Sequence, residues 1–345
     1  MADLKKFIGL CIEAKKTAVA NLQQAIIKIR SKKHLPDWCK NAVKYIYQTW
    51  HVVLICTALF VFFYYFLGSQ LAENIDTATE YKLPKEKSAQ MQAAQTMAFL
   101  IKREVDDKMW TPNLPPLFPA YVLDNMPNFQ TGITAAARDM TNVLRRMDGL
   151  TDVQKEDLQK AHKMLSYAPN IWLLSPKGSF GIAPSSNTQY RKAAKYLQKF
   201  NMRADFTPQP HNLAQILAQL SKRISHLTIK GEEHQREYSG NFIDTKADDV
   251  FYYNRGYAFA LWQISKSLGA DFKDIIVGYG TYTDWTYLQS SLQQAAEFSP
   301  LVVRNGKPNS LLAPNHIMAQ NFYLMRALAA IERIRTTLAR GAYAD

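Results

Sequence analysis

Six carboxylates and a histidine crowd one region of the chain: Glu232, Glu233, Glu237, Asp244, Asp248 and Asp249, with His234 among them. Such a group could ligate a metal ion or supply an acid and a base, because both tasks need oxygen or imidazole donors converging on one point. Convergence from a contiguous stretch requires defined offsets. This one has neither the His-Glu-x-x-His pattern of zinc sites nor the spacing of a calcium loop. The expectation is a solvated, mobile loop over 231–244, with Asp248 and Asp249 favouring the positive amino end of the helix that follows. His162, His211, His226 and His316 are scattered. All three cysteines, Cys11, Cys39 and Cys56, precede residue 57, which removes thiol catalysis and Cys-bound zinc from everything beyond. No Gly-x-Ser-x-Gly elbow, Ser-x-x-Lys pair or Gly-rich phosphate loop occurs. The sequence thus assigns no catalytic residue, no metal ligand and no cofactor. A triad assembled from distant segments is recognised by geometry, so an enzyme stays open as the alternative.

Recognition chemistry has better candidates. Asp124, Asn125, Asn128 and Gln130 gather around Pro127 and offer many donors and acceptors in little space. They serve either to recognise a peptide or glycan, or to cap a helix starting near 131 and satisfy the backbone of a loop. Arg255 stands amid Phe251, Tyr252, Tyr253, Tyr257 and Phe259. It either binds an anion or pairs with a carboxylate and stacks on a ring. Asn305, Asn315 and His316 complete the candidate interaction residues, the last two directly after Pro314 in what reads as a helix start.

The elements that must position these groups are helical almost throughout. Periodic apolar residues predict helices over 88–109, 131–148, 152–166, 187–202, 212–229, 246–269, 284–298 and 315–340. Thr151-x-x-Gln154 and Ser186-x-x-Gln189 read as capping boxes, and Gly149, Gly231 and Gly269 stand where helices end. The stretch 111–128 holds five prolines and interrupts the pattern. Ser175-Pro176-Lys177-Gly178 leaves room for a small β-hairpin between Ile171 and Ile182.

Ahead of this region lies a different kind of segment. From Trp50 to Leu67 run 18 residues with one His, one Thr and no charge. As a helix they reach about 27 Å, close to the hydrocarbon thickness of a bilayer. The run is apolar all round rather than striped, and aromatic residues bracket it: Trp38, Tyr45, Tyr47 and Trp50 before, Tyr64 and Tyr65 at its close. A cleaved export signal would be shorter, nearer the start and followed by a small-residue site. The reading is an uncleaved signal anchor. Residues 1–49 carry ten basic against three acidic residues, a net +7, so the amino end should stay in the cytoplasm.

Three parts follow: 1–36, a cytoplasmic basic amphipathic helix; 37–69, a transmembrane helix with its cytoplasmic extension; and 70–345, an all-α domain beyond the membrane. Leu4, Phe7, Cys11, Ala14, Ala18, Leu22, Ala25 and Ile29 make the stripe of the first, whose partner is either anionic lipid or protein. The formal charge of +13 is concentrated at that end; residues 69–345 hold only +6, without the basic runs of a nucleic-acid surface. The expected partners are therefore the lipid bilayer and an unknown protein or a second copy, and no nucleic acid.

Leu123-Asp124-Asn125-Met126-Pro127-Asn128-Phe129-Gln130 resembles a string of the bacterial family called domain of unknown function 2333. So do SSNTQYRKA (185–193), DDVFYYNRGYAFAL (248–261), VVRNGKPNS (302–310) and APNHI (313–317), in that order. The resemblance implies a Gram-negative cell-envelope protein of the inner membrane, with one span and a helical periplasmic region. It carries no catalytic residues. The expected function is a single-pass protein with a periplasmic interaction or scaffold domain; the alternative is a periplasmic hydrolase acting on a glycan, lipid or peptide of the envelope.

Overall fold

A computed structural model describes residues 13, 20, 24, 36–84, 91–172, 184–200, 208–238, 244–307 and 314–341. The amphipathic helix expected over 1–36 and the hairpin expected between Ile171 and Ile182 fall mainly outside these residues. The described chain is mainly helical and contains no strand, only an isolated antiparallel bridge between Asn305 and Asn315. It divides into two units, 1–66 and 67–345.

The first unit is dominated by α1 (Asp37–Ala72), which continues into the second. Within α1, Thr49–Ala72 has a mean hydropathy of 2.2 and almost no side chain covered by protein. At about 1.5 Å per residue it is some 36 Å long, enough to cross the roughly 30 Å of a bilayer's hydrocarbon. Among the described residues there is one helix long and apolar enough to span a membrane.

The second unit is a helical body. Its elements are α2 (Gln92–Lys102), α3 (Asn125–Leu144), α4 (Asp152–Leu165), α5 (Ser186–Lys199), α6 (Pro210–Tyr238), α7 (Ala247–Asp271), α8 (Lys273–Gly278), α9 (Tyr282–Glu297) and α10 (His316–Gly341). The centre is α7, with α3 along one side, α9 along another and α2 on a third. Helix α10 packs between α6 and α9, while α4 and α5 pair beside α3 and α2. Phe251, Phe259, Ile264 and Leu268 of α7 are buried with Phe129, Ile133, Met140 and Leu144 of α3.

The helix ends match the expected signals in part. Thr151 forms a capping box with Gln154; Gly149 has a φ of 85° but lies in the connection to α4, α3 having ended at Leu144 with Arg145 as its cap. Two others differ. The cap of α5 is Ser185, whose hydroxyl accepts from the Thr188 amide, one residue earlier than expected. Helix α3 begins at Asn125 instead of near 131, so the stretch expected as a loop is its first turns. Pro127 fits there because the first amides of a helix have no intrahelical acceptor to lose.

A five-residue π-turn, Arg103–Asp107, extends α2, and the Lys108 amide closes it on the Arg103 carbonyl at 2.9 Å. It turns both Arg103 and Glu104 inward. Arg103 donates from Nε to Glu104 Oε1 at 2.8 Å, and its guanidinium lies 4.6 Å from the Phe259 ring centre. Two short 3₁₀ turns, Thr111–Asn113 and Pro119–Val122, carry the proline-rich connection to α3.

The amino end of α2 is held by Asp271 of α7, which accepts from the Gln92 and Ala93 amides at 2.8 and 2.9 Å. Burial pushes this carboxyl up to about 6 against the pull of those two amides. A carboxyl raised on folding contributes stability that is present below its unfolded value near 4 and lost as pH rises through 6. The melting temperature of the wild type relative to Asp271→Asn should therefore fall between pH 4 and 6 and level off above 7. A difference that does not change over this range would remove the raised proton affinity.

Candidate functional site

The residues singled out by their chemistry lie at the start of α3, the start of α7, the end of α6 and the start of α10. Asp124 caps α3, accepting from the Asn125 amide at 2.8 Å. Asn128, one turn on, donates from Nδ2 to Asp249 Oδ1 of α7 at 2.5 Å and to the Asp124 carbonyl at 3.0 Å. It ties the first turns of the two central helices together. Asn125 is half-buried.

Gln130 has an interior role. It is fully buried, accepts through Oε1 from the Thr111 amide and hydroxyl at 2.9 and 2.8 Å, and donates to Met109 O at 3.0 Å and Glu104 Oε2 at 3.2 Å. One side-chain amide thereby seals the backbone where the π-turn gives way to the proline-rich segment. Arg255 is also interior. Its Nε donates to the Ala296 carbonyl at 2.8 Å, one of the acceptors left open at the carboxyl end of α9, and the guanidinium lies beside Phe129 and Tyr252. Burial lowers its proton affinity, partly offset by Tyr252.

The described start of the acidic region, 231–238, is helix rather than loop, although Glu232, Glu233 and Glu237 are exposed on it as expected. Helix α6 runs on to Tyr238, so Gly231 does not end it; Gly231 lies against Asn321 of α10, where a Cβ would come within 2.8 Å of the amide. Gly269 likewise stays inside α7, with the Trp285 indole against it. One turn beyond Gly231, His234 is buried and meets Asp244 Oδ2 at 2.8 Å through Nε2. Asn305 Nδ2 donates to the same oxygen at 3.0 Å, and the Lys246 amide reaches Asp244 Oδ1 at 3.1 Å. Burial opposes ionisation of Asp244, yet these bonds outweigh it and hold the carboxyl below its usual range.

The chain of bonds continues from Asn305. Asn315 Nδ2 donates to Asn305 Oδ1 and to the Gly306 carbonyl at 3.1 and 2.8 Å, while its Oδ1 caps α10 by accepting from the Met318 amide at 2.9 Å. His316 accepts through Nδ1 from the Arg304 amide at 3.0 Å and packs edge-on to Phe298. Burial and the Arg304 charge lower its proton affinity. The structure therefore joins Asn305, Asn315 and His316 into one arrangement and adds His234 and Asp244 to it.

Two further carboxylates, Asp248 and Asp249, stand at the start of α7 and feel the charge of Asp124. Burial raises Asp248, and the charges of Asp124 and Asp249 add to the effect. Burial also raises Asp249, more than the Asn128 bond lowers it. Among the described residues no group of His, Cys, Asp and Glu has the arrangement of a metal site. The network's strong donors and acceptors are directed at helix ends and at each other, so its chemistry is that of a polar lock. Elsewhere a groove of about 360 Å³ runs between α3 and α6, lined by Asn142, Val143, Arg146, Gln215, Ala218 and Gln219. Asp139 beside it is shared by Arg138, Arg223 and the Tyr257 hydroxyl. Sequence spacing gives no hint of that convergence.

Residues 53–341 match the model of a family described as "Uncharacterized protein conserved in bacteria (DUF2333)". The chain belongs to the DUF2333 family. The match starts inside the apolar part of α1 and runs to the end of α10, so the DUF2333 unit comprises most of the apolar helix together with the helical body. All five motifs that carry the resemblance fall within it. No curated protein and no solved structure matches the chain.

Proposed function

We propose that this DUF2333 protein is a single-pass inner-membrane protein whose amino terminus is cytoplasmic and whose helical body is a periplasmic interaction or scaffold module of the cell envelope. The observation that carries the reading is Thr49–Ala72, a helix of spanning length almost none of whose side chains is buried. The net +7 of residues 1–49 supports the orientation, since Lys and Arg are retained on the cytoplasmic side. On this reading 1–36 is cytoplasmic and meets either anionic lipid or a protein partner, 37–69 crosses the membrane with its cytoplasmic extension and 70–345 forms the module. Its partner is an envelope protein or a second copy of the chain, met through the rim of the polar end at the exposed Asp124 and the half-buried Asn125.

Topology is tested by fusing alkaline phosphatase or a fluorescent protein after residue 345 in separate strains. Active phosphatase and a dark fluorescent fusion are expected. A bright fluorescent fusion with inactive phosphatase would reverse the orientation.

A further inference from the structure

The proline-rich segment before α3 presents an apolar surface where the long helix leaves its hydrophobic stretch. From Met109 to Leu123 there is no charged residue. Within it Leu117 is 80 % exposed, Val122 54 %, Tyr121 53 % and Phe118 39 %. Single exposed apolar side chains are ordinary, but four within six residues of tight turns form a patch. The patch is held in shape: the Phe118 amide bonds to the Pro115 carbonyl at 3.0 Å and the Tyr121 amide to the Phe118 carbonyl at 3.0 Å. Pro112, Pro115, Pro116 and Pro119 have no amide hydrogen, which lowers the number of backbone donors that would need water.

What identifies the occupant is the position of Pro119. Its ring lies against Gly68 of α1, so close that a Cβ on Gly68 would stand 2.4 Å from Pro119 Cβ. Gly68 directly follows the charge-free run Trp50–Leu67, and Leu71, one turn on, is 88 % exposed. A helix that spans with about 30 Å of its length in hydrocarbon brings this turn to the headgroup layer. Whatever packs on Gly68 shares that depth.

We infer that the surface of Leu117, Phe118, Tyr121 and Val122 rests in the interfacial layer of the bilayer at the depth of Gly68, contacting phospholipid headgroups and the upper acyl chains. The inference rests on the reading of Thr49–Ala72 as that span. Tyr121 suits the location, because its ring is apolar and its hydroxyl reaches water or phosphate. The segment acts as a peripheral foot.

The test uses the full chain with Cys11, Cys39 and Cys56 replaced by serine, in nanodiscs of phosphatidylethanolamine and phosphatidylglycerol. Nitroxide labels are placed by Val122→Cys and, separately, Phe60→Cys, and relaxation by oxygen and by a water-soluble nickel chelate is compared with the free label in buffer. An oxygen-to-nickel ratio raised roughly threefold or more at 122 is expected for shallow burial in the interface, with a larger rise at 60. A deep label at 60 with a water-like label at 122 overturns the peripheral foot and leaves the span standing. A label at 122 shielded from both relaxers also overturns it, since protein would then cover the patch. A water-like label at 60 removes the span itself.

Discussion

Replacing Gly256 by alanine is expected to destabilise the helical body by about 3 kcal/mol or more, a large part of the 5–15 kcal/mol typical of a folded domain. Gly256 of α7 lies against the Phe129 carbonyl of α3, and a Cβ would stand 2.0 Å from that oxygen. Gly132 of α3 returns the contact: its Cβ would stand 2.2 Å from the Tyr253 carbonyl. The two helices thus touch through their backbones. Alanine gains up to about 1 kcal/mol in helix propensity, but the obstacle is main chain that cannot rotate away, so the clash decides the sign. Gly278 supplies the control, because nothing lies within 4 Å of the Cβ it would bear. Thermal unfolding of the detergent-solubilised chain should give a much lower midpoint for Gly256→Ala and Gly132→Ala and no loss for Gly278→Ala. Equal midpoints for all three would mean that α3 and α7 stand further apart.

The second large effect is expected at Glu104. Its carboxylate meets the Arg103 guanidinium at 2.6 Å with both side chains almost wholly buried. Glu104→Ala leaves that guanidinium in the interior without an anion, at a cost of about 3–5 kcal/mol. It also removes one of the acceptors of Gln130 Nε2, whose bond to the Met109 carbonyl remains. Denaturant unfolding should show the loss as a lower midpoint with an unchanged slope. The double change Arg103→Met with Glu104→Met should recover much of it, since a buried pair replaced by apolar groups of similar volume is often neutral. If the double variant is no better than Glu104→Ala alone, the unpaired charge is not what the single change costs.

These two sites show what the sequence does and does not reveal. Strong apolar periodicity places α7, α9 and α10 within two residues of their observed ends, because each buries a broad stripe. The tail of α6 was hidden because the stripe through Leu220, Ile224 and Leu227 continues at Gly231 and His234, neither of which reads as apolar. The start of α3 was hidden by Pro127, a breaker everywhere except in a first turn. Local capping was legible at Thr151 ahead of α4 and, at the polar end, in the acids after Ala247. Gln130 was not, since its partners at 104, 109 and 111 come from a π-turn and its sequel, and an amide leaves no periodic trace. The same holds for the reach of Asn305 to Asp244 across 61 positions.

The closeness of Gly68 to Pro119 bears on how this protein can be handled. Residues 67–72 count with the body rather than with the preceding helix, and Ser69 is buried there. Just beyond, the Asn74 amide reaches Met126 Sδ and its carbonyl receives the Lys108 ammonium. The turn from Leu67 onward is thus part of the body's own packing. A water-soluble fragment trimmed at the edge of the hydropathy peak would lose the very turn on which the proline ring sits, and expression boundaries belong before it.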